Sequence, residues 1–133
     1  MRAVSTSQGG LRHLVKVGDH QLVTDEPSDK GGAGSGPSPL ELLAASLVSC
    51  TAITMQLYAQ RKGWDLDDLQ VEADFQPAER GALTQFEMVL SFPDHLTEEQ
   101  VAKLKVIAAK CPIHRTLEGE AIFSERVERR ARA

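Results

Sequence analysis

The chain has 133 residues, a length that fits one domain, and 41% of its residues are hydrophobic while 26% are charged. Its 15 basic and 19 acidic side chains give a net charge of −4, so we expect neither nucleic acid nor an anionic membrane as a partner. The N-terminus lacks the apolar segment of a secretory signal, which indicates the cytoplasm. We therefore expect a single cytoplasmic domain over residues 1–133.

Two short apolar segments near the N-terminus predict a β-hairpin. Residues 11–17 and 21–24 flank Gly18-Asp19, where glycine favours a tight turn because it tolerates a positive φ. Residues 25–38 follow, and their glycine, proline and serine content without periodicity is typical of a loop. This loop is too short and too central to be a linker between domains.

A long helix is predicted to begin at Pro39. Ser38 is a favourable N-cap, proline suits the first helical position, and Glu41 completes a capping box. No glycine or proline follows before Gly63, so the helix can extend to about Lys62. Its first two-thirds is apolar or small on nearly every face, which predicts burial on all sides. A second subunit would make that burial possible in so small a protein.

The apolar part of this helix, residues 40–55, is not expected to cross a membrane. It has about 16 residues, whereas a membrane-spanning helix needs roughly 20. It also contains Glu41 and several hydroxyl side chains. A buried helix is the better interpretation.

Two alternating segments, residues 69–75 and 84–92, predict a pair of strands with one wet and one covered face. Thr97 and Gln100 lie at the ends of a second capping box, and an apolar stripe at helical spacing then runs as far as Cys111. These patterns predict a strand pair followed by a second helix.

The end of the chain predicts a short strand at residues 121–124 and a frayed, solvated Arg-rich segment at residues 126–133. The complete order is β-β-loop-α-β-β-α-β. Paired strands separated by helices indicate an α+β fold with antiparallel sheets.

Cys50 and Cys111 are the only cysteines of the chain. In a reducing compartment they are expected to be reactive, metal-bound or simply buried, because permanent disulfides are rare there. A reactive cysteine needs surroundings that lower its pKa, and the neighbours of Cys111 include Lys110, His114 and Arg115. Cys50 lies in the middle of a helix, where the helix dipole contributes little. The alternative is that either cysteine serves only as a packing residue.

Two other site types remain open from the residues alone. Cys111 and His114 have the spacing of metal ligands, but adding Cys50 gives only three candidate zinc ligands from distant segments. A Cys–His hydrolase is also conceivable, although His114 follows Cys111 too closely to be assumed a base that faces it. We expect no metal.

Two segments resemble the cysteine motifs of the OsmC/Ohr superfamily. GPSPLELLAASLVSCTA (residues 36–52) resembles its central cysteine helix, and CPIHRTL (residues 111–117) resembles its second, Cys-Pro motif. Two motifs in the right order are more specific than either alone. The resemblance implies an α+β fold with a long buried central helix, in an intertwined homodimer with two active sites at the interface.

The resemblance also implies an antioxidant activity in the stress response. Cys50 would be the peroxidatic thiolate that attacks the distal oxygen of an organic hydroperoxide and becomes a sulfenic acid. Cys111 would condense with that sulfenic acid to form a disulfide. A dithiol reductant, such as a lipoylated protein, would restore the pair by exchange. No metal or organic cofactor would be needed.

The chain departs from the family pattern at Leu40. Hydroperoxidases of the family carry a glutamate directly after the helix-opening proline, paired with an N-terminal arginine. Here the carboxylate belongs to Glu41, about 100° further around the helix, so it is either catalytic or only part of the capping box. Arg12 and Arg115 are the candidate activating cations. The departure resembles the YhfA-like branch, and it keeps open a non-enzymatic protein that senses redox state or binds a small apolar ligand.

Overall fold

The computed structural model describes residues 1–131. This part of the chain forms two antiparallel sheets and three α-helices, an α+β fold as predicted. The elements are β1 (Ala3–Ser7), β2 (His13–Val17), β3 (His20–Thr24), α1 (Pro39–Lys62), β4 (Gln70–Gln76), β5 (Gln85–Ser91), α2 (Glu98–Ala108) and α3 (Pro112–Glu118). A single 3-10 turn, Ser28–Lys30, interrupts the loop between β3 and α1.

The N-terminal sheet, β1 to β3, contains the predicted hairpin and one additional strand. Gly18, with φ 57°, makes the turn between β2 and β3. β1 was missed by the sequence analysis because its residues, AVSTS, show little apolar alternation. It forms by pairing along β2, from Ala3 opposite Val17 to Ser7 opposite His13. Strand pairing of this kind depends on the neighbouring strand rather than on the segment itself.

α1 has the predicted bounds because both of its ends are capped. The Ser38 hydroxyl accepts a hydrogen bond from the Glu41 N–H (3.1 Å), and the Glu41 carboxylate accepts one from the Ser38 N–H (3.0 Å). Gly63 ends the helix in the left-handed region, with φ 74°. Within one chain α1 buries a single stripe: Leu47, Thr51, Met55 and Ala59. Leu40, Ile53 and Leu57 remain about half exposed.

The core lies where α1 packs on β4, α2 and α3. It is built from buried residues of α1 and α2 together with the turn that precedes β4, namely Met55, Ala59, Leu66, Leu104 and Ala108. α1 is long and apolar enough to cross a membrane by length and composition alone. Its packing against the other elements makes it the core helix of this chain instead.

The C-terminal region differs most from the sequence-based expectation. Residues 121–124 form no strand, and the side chains of Ile122 and Phe123 are 98% and 84% exposed. Residues 126–131 are irregular and exposed as expected, while residues 132–133 of that predicted segment lie outside the described residues. α3 was not predicted, because seven residues are too few for apolar periodicity to reveal a helix.

Candidate active site

The structure brings Cys50 and Cys111 together where α1 packs on α3. The two thiols are close enough to shift each other's pKa, and both are free. Cys50 is half-buried in the middle of α1, whereas Cys111 is fully buried as the N-cap of α3. Two neighbouring free thiols are the groups that reversible disulfide formation needs.

Cys50 is held as the neutral thiol by its surroundings in this chain. Burial raises the pKa of Cys50, and the contact with Cys111 raises it further. The Ile113 N–H and the Thr54 hydroxyl act to lower the pKa of Cys50, but by less than burial and Cys111 raise it. Cys50 therefore needs a further positive group before it can act as a thiolate at neutral pH.

Cys111 is the more acidic thiol of the pair. Burial acts to raise its pKa, but the Cys50 thiol, the His114 and Ile113 N–H groups and the Thr51 hydroxyl together lower the pKa of Cys111. The cysteine side chain makes no well-formed capping hydrogen bond, so the nearby N–H dipoles act mainly through their field. Within the pair, Cys111 therefore ionises before Cys50.

An apolar cleft of about 470 Å³ lies between β5, α2 and α3, and Thr51 of α1 also lines it. Met88, Leu90 and Phe92 form its apolar wall, and the side chains of Thr51 and His114 are polar groups on its surface. Thr51 Oγ1 and His114 Nδ1 are buried without a well-formed hydrogen bond. Glu118 Oε1 lies 3.2 Å from His114 Nδ1, but as a charge neighbour in poor hydrogen-bond geometry.

A second cleft, of about 790 Å³, lies between the C-terminal halves of α1 and α2, and we call it the basic cleft for its three cations. Thr54 and Pro112 are the lining residues nearest to the cysteines, and Arg61, Lys103 and Lys110 supply three positive charges. Thr54 acts to lower the pKa of Cys50, and it lines this cleft. Thr51 acts to lower the pKa of Cys111, and it lines the apolar cleft. Each cleft therefore borders a threonine that acts on one of the two sulfurs, and both clefts carry lysine side chains on a mainly apolar lining.

The other predicted site residues do not join the thiol pair within one chain. Arg12 lies directly before β2, in a sheet that has no extensive contact with α1. Arg115 is exposed on α3, where its N–H donates to the Cys111 carbonyl at 3.0 Å. Glu41 lies about 13 Å along the helix axis from Cys50 and performs the capping that the sequence left as its alternative role. None of the three is among the groups that shift either thiol pKa.

The zinc site that the sequence left open is not assembled in the described chain. Across residues 1–131 no group of three or more His, Cys, Asp or Glu side chains converges as metal ligands. The ring of His114 faces Glu118 and the apolar cleft instead.

Three residues that act on the sulfurs, Thr51, Thr54 and Ile113, were not among the predicted site residues. Thr51 and Thr54 interrupt an apolar helix one and four positions after Cys50, and this spacing places Thr54 on the same helix face as the cysteine. That signal was available. Ile113 contributes through its backbone N–H, which no side-chain pattern reveals.

The chain shares its fold with several solved structures. One is a protein from Psychrobacter arcticus 273-4, described as an osmotic stress induced and detoxification response protein. It is 25% identical, with a TM-score of 0.76 over 86% of this chain and 85% of that one. An organic hydroperoxide resistance protein from Elizabethkingia anophelis is 23% identical, with a TM-score of 0.66 over 88% and 86% of the two chains.

An organic hydroperoxide resistance protein OsmC from Legionella pneumophila is 20% identical, with a TM-score of 0.65 over 90% of each chain. No curated protein sequence matches the chain. The sequence profile of OsmC-like proteins, however, matches residues 32–125, a segment that includes both cysteine motifs. This protein therefore belongs to the OsmC-like family.

Proposed function

We propose that this protein is a thiol-dependent peroxidase that reduces organic hydroperoxides in the response to peroxide stress. The observation that carries the proposal is the proximity of Cys50 and Cys111, which shift each other's pKa at the junction of α1 and α3. Related structures that bear the name organic hydroperoxide resistance protein support the same activity.

In the proposed reaction the Cys50 thiolate attacks the distal oxygen of the hydroperoxide. The S–O bond forms, the O–O bond breaks, and the alkoxide that leaves takes a proton to become the alcohol. The Cys111 thiolate then attacks the sulfenic sulfur, so that the disulfide forms and hydroxide leaves to become water. The lowered pKa of Cys111 supports this second step, because the thiolate is the attacking species.

The apolar cleft supports an organic substrate. Met88, Leu90 and Phe92 offer a wall for a hydrocarbon group, as in most small-molecule sites. Thr51 and His114 line the same cleft and supply polar side chains for the polar end of such a molecule.

We propose a homodimer as the active form of this single domain. The N-terminal sheet and the outer face of α1 both leave apolar side chains exposed, among them Val4, Val17, Ile53 and Leu57. A second copy that covers these faces would bury them. It would also offer a place for the cation that Cys50 needs, and Arg12 is the candidate because it lies in this loosely attached sheet.

The proposed reductant is a dithiol, such as a lipoylated protein in the cytoplasm. A dithiol returns two electrons to the Cys50–Cys111 disulfide and leaves both cysteines reduced, so the cycle closes without a metal or organic cofactor.

The test uses single cysteine variants, cumene hydroperoxide and a reagent that traps sulfenic acid, followed by mass spectrometry. Cys111→Ser should accumulate the trapped adduct on Cys50, and the parent protein should form the intramolecular disulfide. Cys50→Ser should slow peroxide consumption by at least about a hundredfold, because serine is not a comparable nucleophile at neutral pH. Parent-like consumption by Cys50→Ser would contradict the proposal.

A second candidate function follows from the surroundings of Cys50. Burial raises the pKa of Cys50, and no cation is among the groups that shift it, which favours a protein that senses redox state or binds a small apolar ligand without turnover. Such a protein would bind apolar ligands in the apolar cleft but consume no hydroperoxide with any dithiol. Rapid dithiol-dependent turnover would exclude this candidate.

A further inference from the structure

His114 brings an imidazole to the thiol pair. Cys111 is the N-cap of α3 and Pro112 is its first residue, so His114 is the third residue of this helix. In the first turn of a helix, the side chain of the third residue lies on the same side as that of the N-cap, as in a capping box. The backbone N–H of His114 also acts to lower the pKa of Cys111. An ionisable ring therefore lies in the same turn as one of the two thiols.

Glu118 orients this ring. It lies one turn further along α3, and its Oε1 is 3.2 Å from His114 Nδ1. Nδ1 is buried, although the side chain of His114 as a whole is 32% exposed. The two nitrogens of an imidazole lie on different edges of the ring, so Nε2 is the nitrogen that remains to exchange a proton with a bound molecule.

The apolar cleft gives such a molecule access to the ring. Thr51 and His114 are lining residues that also act on the Cys111 sulfur, Thr51 through its hydroxyl and His114 through its N–H. The wall on the β5 side is apolar, and the charged side chain that α2 contributes is Lys105. The titratable groups that face the ring are thus Glu118 of its own helix, Lys105 of α2 and the two thiols. A hydroperoxide in the cleft would meet the imidazole beside the sulfurs.

We propose that His114 is the general acid of the thiol-dependent peroxidase, and that its Nε2 protonates the oxygen that leaves the hydroperoxide. This inference rests on the proposed function. The alkoxide of a simple alcohol is a strong base and leaves poorly, so a proton delivered while the O–O bond breaks lowers the barrier. The carboxylate of Glu118 positions the donor, as a third group does for the histidine of a nucleophile–histidine pair.

The step transfers one oxygen atom and one proton. The Cys50 thiolate forms the S–O bond with the distal oxygen, and the electron pair of the O–O bond passes to the proximal oxygen. That oxygen takes the proton of the imidazolium Nε2. The products are the sulfenic acid of Cys50, a neutral alcohol and a neutral imidazole. The imidazole regains its proton from solvent, and Cys50 gives one up when it has been reduced, so the step needs no further reactant.

The test varies the leaving group. The reduced full-length protein is mixed with a stoichiometric amount of cumene hydroperoxide or peracetic acid, and oxidation of the thiols is followed by rapid alkylation and mass spectrometry. Cumene hydroperoxide releases a strongly basic alkoxide, whereas peracetic acid releases acetate, which leaves without a proton. The variant is His114→Gln. The matched control is His95→Gln, at an exposed histidine outside the cleft.

The expected result is a loss that depends on the peroxide. His114→Gln should slow oxidation by cumene hydroperoxide about a hundredfold and oxidation by peracetic acid less than about threefold. Retained reaction with peracetic acid shows that the thiol pair is intact in the variant. With cumene hydroperoxide the parent rate should rise with pH as the thiolate forms and fall again as the imidazolium deprotonates, and the variant should keep only the rise. His95→Gln should match the parent protein with both peroxides.

Glu118→Gln gives a second measurement that does not depend on a change in the cleft. The side chain of Glu118 is 67% exposed, so its replacement leaves the packing of α3 unchanged. The loss should be smaller than for His114→Gln and should again be confined to cumene hydroperoxide, because the ring is present but is held less firmly.

Three results would overturn the inference. Equal losses of His114→Gln with both peroxides would show that His114 acts on the thiol pair and not on the leaving group. An unimpaired His114→Gln would remove the imidazole from the reaction, and a His95→Gln protein as impaired as His114→Gln would show an effect that is not specific to the cleft. A parent protein that reacts with peracetic acid but not with cumene hydroperoxide would instead contradict the proposed function.

Discussion

Both sheets of this protein are antiparallel, yet only one of them packs on a core in its own chain. β4 and β5 alternate covered and exposed residues, and α1 packs on β4. The rings of Phe75 and Phe86 stack across the two strands, with 4.7 Å between their centroids. The N-terminal sheet has no comparable cover, and Val4 and Val17 are 43% and 37% exposed. Strict alternation therefore accompanies a covered face in β4 and β5, whereas the N-terminal sheet, which lacks it, leaves apolar residues uncovered within one chain.

The same contrast runs through the candidate site. The side of α1 that faces the core is covered by other elements of the same chain, and Cys50 lies near Cys111 on this side. The outer side of α1 and the N-terminal sheet, which includes the region of Arg12, are not covered. One chain thus assembles the thiol pair without activating Cys50.

The largest expected effect concerns the core around α1, which we expect to contribute more to the free energy of unfolding than the N-terminal sheet does. Leu104→Ala removes a side chain with 0% exposure from the core and should lower the free energy of unfolding by about 2–5 kcal/mol. Leu11→Ala, at a position that is 48% exposed beside the N-terminal sheet, should cost less than about 1 kcal/mol. Urea denaturation compares the two, and equal losses would show that both regions contribute a core.

A second experiment asks whether a second copy covers the exposed faces. Ile53→Asp with Leu57→Asp places two charges on the outer face of α1 and should weaken dimerisation by about a hundredfold or more. Sedimentation velocity at several concentrations measures the change. Val106→Asp, at a position on α2 that is 54% exposed, is the control and should leave the dimer intact. A parent protein that stays monomeric at micromolar concentrations would contradict the homodimer.

Asp25 lies directly after β3, in the loop that connects the N-terminal sheet to α1, and the residue is 2% exposed. The Ser35 hydroxyl and N–H donate to it at 2.6 and 3.1 Å, and the Glu26 and Ala33 N–H groups donate at 2.8 and 3.3 Å. These hydrogen bonds, led by the Ser35 hydroxyl, lower the pKa of Asp25 from 3.8 to about 2.

The lowered pKa fixes the sign of the pH dependence. The stability that the charged Asp25 contributes is fully present above pH 3.8 and is lost as the pH falls through about 2. Asp25→Asn should therefore lower the Tm at pH 7, and the difference from the parent protein should shrink between pH 4 and pH 2. Thermal unfolding followed by circular dichroism across this range gives the test. A constant difference would show that the charge of Asp25 is not the cause.

The smallest effect concerns a helix end in the well-packed region. The Thr97 hydroxyl accepts from the Gln100 N–H at 3.1 Å, and the Gln100 side chain accepts from the Thr97 N–H at 2.8 Å. Thr97→Ala should cost about 1 kcal/mol of unfolding free energy, because one N–H of the first turn of α2 loses its partner. Thr84→Ala, at an exposed position before β5, should change stability by less than about 0.5 kcal/mol. Equal losses would remove the cap as the explanation.

Local sequence signals were sufficient where a structure depends on neighbouring residues. The bounds of α1 followed from Ser38, Pro39 and Gly63, and the predicted capping boxes and antiparallel hairpin are confirmed. β1 and α3 were not foreseen, because β1 forms against β2 and α3 is too short to show periodicity. The strand predicted at residues 121–124 was wrong, since a suitable pattern does not guarantee a pairing partner.

The sequence by itself determined the ends of α1, the start of α2, the hairpin, the strand pair and, through two motifs, the family of this protein. Only the tertiary structure decided that Cys50 and Cys111 lie close together, that Cys111 is the more acidic thiol, and that Thr51 and Thr54 beside the pair line two different clefts. The physical reason is how far apart along the chain the interacting residues lie. Caps and turns involve residues within a few positions of each other, whereas thiol acidity and cleft chemistry depend on groups that only packing brings together.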